Sequence, residues 1–257
     1  MYTTIFVILF LMAVFLHEYG HLSAMHKNGI KVNNLSIGVP IGPMIVIRHP
    51  KLCFGIPVQI SPFLIMGSVR PENPEEIDEL SFDKQLEIYG GGIVMNCLFS
   101  IFLLLSITKK LWVAVSCLIL GIVILKFRAK VCTYVLPLLS AFAVVIIPWL
   151  VMTAAKMVPD AGQNSSLALQ EIAEHVSDLR MAVLFASVSS VCMAVFNLVP
   201  LMPLDGGRLV LVYFKKWFPE KLIRVYTGAT IVVTLAIMLI STYDFIFAVL
   251  RSIWRHF

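Results

Sequence analysis

Residues 2–21 read YTTIFVILFLMAVFLHEYGH. An apolar run enters at Tyr2 and ends against three ionisable side chains, His17, Glu18 and His21. A helix needs about 20 apolar residues to cross a bilayer, so the run reads as a membrane span over Tyr2 to Met25. Ionisable groups at the end of such a span are costly and functional by default. Positions i and i+4 share one helix face, so His17 and His21 can both reach a single metal ion. Glu18 stands beside them, placed to take a proton from water.

The rest of the chain agrees with a lipid environment. Of its 257 residues, 59% are hydrophobic and only 14% charged, against about a quarter charged in a soluble domain. Mean hydropathy is +0.91. The net charge of +5 therefore does not point to nucleic acid; in a membrane chain it reports orientation. The five cysteines, Cys53, Cys97, Cys117, Cys132 and Cys192, form no CxxC pair and read as small apolar packing residues. The N-terminal run lacks a basic leader and a small-residue cleavage site, so it is expected to be retained as a span.

Further spans are expected at Ile88–Ile107, Leu111–Leu125 (short), Val131–Ala155, Met181–Leu201 and Val225–Leu250. The expected fold is an all-α polytopic membrane protein of about six transmembrane helices, one membrane-embedded domain over 1–257. Between the first two spans, residues 30–70 carry prolines and glycines too closely spaced for a long helix. The β-rich runs Met44–Ile47 and Val58–Ile60 predict a membrane-associated β-hairpin region there, whose edge could receive an unwound substrate. Arg70–Glu87 reads as a solvated acidic loop with a short helix. Residues 111–155 read as two inserted helices, and 159–180 as a short extracytoplasmic loop. With the N-terminus outside, fourteen Lys and Arg fall on the inner side and six on the outer, which sets the orientation.

A catalytic zinc usually has three protein ligands and one open position. His26 points to another face of the first helix. His49, His175 and His256 lie in polar or terminal segments, and Glu171 and Glu174 fall on the outer side. Asp205 is the better candidate: the first and fifth spans run the same way, so the HExxH and Asp205 lie at the same depth. A plain helix-ending turn would account for Pro200, Pro203 and Asp205-Gly206-Gly207, but not for Asn197 inside an apolar span.

HExxH at 17–21 together with NxxPxxxLDGG at 197–207 is similar to the pair of motifs in the site-2 protease family of intramembrane zinc metalloproteases. Gly67-Ser68-Val69-Arg70 resembles the family's GGYV segment, and Gly91–Asn96 its AGPxxN segment. The resemblance covers Tyr2 to Asn96 and Met181 to Arg208; no PDZ or CBS domain is evident. It implies one Zn2+ per chain held by His17, His21 and Asp205, with Glu18 as the general base. It implies that Asn197 holds the substrate backbone or the oxyanion. Substrates would be transmembrane proteins or signal-peptide remnants in the lipid bilayer, with no nucleic-acid partner. The location would be a bacterial cell membrane, with the active site near the cytoplasmic side. Because the histidines must be neutral to bind metal, affinity should fall at acid pH. The competing reading is a membrane metal transporter or a non-cleaving metal-binding membrane protein, in which Glu18 would be dispensable.

Overall fold

The computed structural model describes residues 2–38, 42–49, 51–62, 67–108, 111–126, 130–136, 139 and 178–236. The N-terminal apolar run folds as one unbroken helix, α1 (Tyr2–Lys27). His26 and Lys27 close its last turn, where cations suit the negative end of the helix dipole. Gly29 follows at φ 80°, a left-handed conformation that suits glycine at a helix end.

Four short strands come next: β1 (Val32–Ile37), β2 (Ile45–Ile47), β3 (Val58–Ile60) and β4 (Gly67–Pro71). They form one sheet in the order β2-β3-β1-β4. The expected strands at 44–47 and 58–60 are thus present as β2 and β3, paired antiparallel. The sheet is larger than the expected hairpin, because β1 adds to β3 in parallel and β4 adds to β1 in antiparallel register. Val58–Ile60 is therefore interior, and the end strands among the described residues are β2 and β4. Phe54, in the 3-10 turn before β3, stacks on His26 at 4.1 Å and on Tyr19 at 5.9 Å. The sheet is thereby pinned to the helix that carries the HExxH.

After a single turn of helix, α2 (Glu75–Glu79), the second long helix α3 spans Phe82–Ile107. It begins six residues before the expected Ile88, because its polar first turns find partners. Gln85 donates to the carbonyls of Asp78 and Leu80 at 3.0 and 2.8 Å. Buried Glu87 accepts from Lys27 at 2.8 and 3.1 Å. Lys27→Met is expected to lower the unfolding free energy by about 1–2 kcal/mol, since one end of the pair faces solvent. Thermal unfolding in detergent, with Glu87→Gln in the same background recovering part of the loss, is the check.

Helix α4 (Leu111–Lys126) follows, then a π turn at Val131–Val135. The rest of the expected fourth span, and the 159–180 loop apart from its last residues, lie outside the described residues. Helix α5 (Leu179–Asn197) is capped by Asp178, whose Oδ1 accepts from the Met181 N–H at 2.8 Å. It ends four residues before the expected Leu201, where Pro200 forces a turn. Helix α6 (Asp205–Trp217) and a helix over 220–236, α7, complete the described chain; the expected sixth span continues beyond it. Among the described residues, three helices are long and apolar enough to cross a membrane: α1, α3 and α5. The architecture is mostly helical, with a small sheet rather than none.

Helix α3 is the hub, packing against α1, α4, α5 and α6. Lipid tails are as apolar as Leu, so helices in a bilayer associate by close packing and polar contacts. Both occur. A Cβ at Gly91 would lie 2.6 Å from the Gly20 carbonyl oxygen, so α1 and α3 cross backbone to backbone. Between α3 and α5, Ser100 and Ser187 share a hydrogen bond of 2.7 Å, and Ser190 donates to the Asn96 carbonyl at 2.9 Å.

Candidate active site

The crossing of α1 and α3 puts the HExxH against α3, and the turn after α5 delivers Asp205. That turn is held from α7: Tyr226 donates to the Pro200 carbonyl at 2.9 Å and Thr234 to the Met202 carbonyl at 2.7 Å. Asp205 opens α6, where a carboxylate suits the positive end of the helix. A Cβ at Gly206 would strike the carbonyls of Leu198 and Val199, so the Asp-Gly-Gly sequence lets α6 start hard against the preceding turn.

His17, Glu18, His21 and Asp205 are all buried. His17 Nε2 and His21 Nε2 each lie 3.1 Å from Asp205 Oδ2, and 3.3 Å from one another. Tetrahedral zinc with ligands at about 2.0–2.1 Å requires donor atoms about 3.3–3.4 Å apart. The three side chains therefore present two nitrogens and one oxygen in a triangle of nearly the size that zinc needs. Burial works against the charge of Asp205, but the neighbouring His21 and His17 hold its carboxyl below the usual range. His21 Nδ1 donates to the Ile88 carbonyl at 2.7 Å, which fixes the tautomer that turns the Nε2 lone pair toward Asp205.

Two glycines shape the space. A Cβ at Gly92 would strike His21 Nε2 and lie 2.7 Å from His17 Nε2, so α3 is bare where it faces the triangle. A Cβ at Gly67, the first residue of β4, would lie 2.7 Å from Glu18 Oε1. The end strand of the sheet thus runs directly past the carboxylate. Gly67→Ala is expected to displace Glu18 and lower turnover about tenfold with metal content unchanged, given how steeply rate depends on placement. Single-turnover cleavage alongside metal analysis reads this. Glu18 itself stands within electrostatic reach of His21, His17, Asp205 and Arg208.

The structure thus brings together His17, His21 and Asp205 from residues 184 apart, with Glu18 beside them. Asn197 is the last residue of α5 and only half-buried, at the start of the turn that leads to Asp205. The family resemblance took in Gly92, Asn96 and Gly67 as parts of two segments but gave none of them a role of its own. The signal for the first two was their i, i+4 spacing on α3, matching that of the histidines they face.

A sequence model described as peptidase family M50 matches residues 5–241. No curated protein matches the chain.

Proposed function

Since this chain belongs to peptidase family M50, we propose that it is a zinc endopeptidase that cuts peptide bonds within or near the transmembrane segments of membrane-anchored substrates. The observation that supports this most is the His17–His21–Asp205 triangle with Glu18 beside it. Zinc bound there would polarise the scissile carbonyl and bring the pKa of water toward neutrality. Glu18 accepts the proton of the attacking water and returns it to the departing amide nitrogen. To hold zinc, both imidazoles must give up a lone pair as neutral ligands and the Asp205 carboxylate must be ionised. Asn197 holds the substrate backbone or the developing oxyanion. The chain is one membrane-embedded domain, with about six spans and its active site toward the cytoplasmic side.

A peptide bond inside a helix is shielded by its own hydrogen bonds, so the substrate must unwind. Among the described residues β4 is an end strand beside Glu18, and the edge of a sheet can receive an extended segment by strand addition. The unwound substrate lies along β4, and its scissile bond reaches the carboxylate without leaving that strand.

The test is a tagged single-span substrate, reconstituted with the protein in liposomes. Cleavage is lost on chelation and restored by zinc if the proposal holds. Zinc flux measured in the same vesicles, with no cleavage of a panel of pre-trimmed substrates, would favour a transporter instead.

A further inference from the structure

Asn96 is completely buried on α3, one turn after Gly92. Its Nδ2 lies 3.2 Å from Nδ1 of His17. Among the described residues its Oδ1 is a buried side-chain atom with no hydrogen-bond partner. Such orphans are rare in folded proteins and call for an explanation.

The explanation lies in the proton on His17. A histidine that gives its Nε2 lone pair to a metal carries its proton on Nδ1 and needs an acceptor there. For His21 that acceptor is the Ile88 carbonyl. For His17 the neighbouring polar side chain is Asn96, and an NH2 group cannot accept. The oxygen and nitrogen of an amide have nearly the same shape, so the group can be turned over in place. Turned over, Oδ1 faces His17 Nδ1 and receives its proton, and the NH2 group takes the place that Oδ1 had.

We propose that Asn96 is the positioning residue for His17: its amide oxygen accepts the Nδ1–H and so fixes the ring and tautomer that leave Nε2 free for metal. This rests on reading His17, His21 and Asp205 as metal ligands. The backbone at Asn96 is itself anchored, since its carbonyl accepts from Ser190 Oγ at 2.9 Å. Bare Gly92 lets α3 approach closely enough for the contact. Asn96 is fully buried and meets His17, so it acts through that ring.

The experiment measures zinc affinity of the full chain in detergent, by competition with a chromophoric chelator. The parent, Asn96→Leu and Asn96→Asp are compared. Leu fills the same space without an acceptor, and zinc should bind about 10–100-fold more weakly. Asp keeps an acceptor and should stay close to the parent. The visible spectrum of the Co2+-loaded protein should change for Leu and not for Asp. Parental affinity in Asn96→Leu, or equal losses in both variants, overturns the proposal. If the Leu variant does not fold, a tenfold loss in Asn96→Asp alone overturns it, because a packing role and not an acceptor role would then be at stake. A parent that takes up no zinc overturns the ligand assignment too. A loaded parent with an equally loaded Leu variant overturns only the role of Asn96.

Discussion

Glu18→Gln is expected to keep its zinc and to lose cleavage by about a hundred- to ten-thousand-fold, the span of general acid–base contributions. The donor triangle is made by His17, His21 and Asp205, so removing the Glu18 charge leaves it standing. Gln has nearly the same shape as Glu and fits the same space against Gly67. What disappears is a group able to take a proton and give it back. Zinc content and cleavage measured on one preparation separate the roles. Loss of both would make Glu18 a structural part of the metal site. Survival of cleavage would place the base elsewhere.

The second large effect is expected at a residue with no side chain. Gly92→Ala puts a methyl group against His21 Nε2 and within 2.7 Å of His17 Nε2. Neither ring can retreat far, because His21 Nδ1 is tied to Ile88 and α1 already meets α3 backbone to backbone at Gly20 and Gly91. Overpacking of this kind costs about 1–3 kcal/mol, and here it falls on the arrangement proposed to bind metal. Zinc affinity should drop about 5- to 150-fold, and cleavage should drop with it. Excess zinc should restore part of the cleavage by mass action. A variant that binds zinc as the parent does would show that the rings have another place to go.

The candidate metal site was legible because its residues violate their surroundings. Charged and imidazole groups in an apolar span stand out on cost alone, and i, i+4 spacing says what they share. The depth match between the first and fifth spans then selected Asp205. The sheet was less legible. β1 reads Val-Asn-Asn-Leu-Ser-Ile and buries its last three residues, so it lacks the alternation that marks a strand. β4 begins with Gly and ends with Pro, both poor strand formers. The early start of α3 was hidden because Gln85 and Glu87 read as solvated, whereas Lys27 and the Asp78 and Leu80 carbonyls satisfy them inside the fold. Gly92 and Asn96 gain their meaning only from the helix they face, and a single sequence does not say which helices cross.

The two halves of the proposed ligand set sit 184 residues apart, and the last piece, Asp205, opens a helix near the end of the described chain. A ribosome adding about 5–20 residues per second exposes the histidines about 10–40 seconds before Asp205 is made. During that interval the nascent chain carries a carboxylate and two imidazoles without the third donor of the proposed site. A chain cut short before Asp205 therefore lacks one corner of the triangle and, on the function proposed here, is expected neither to hold zinc nor to cleave.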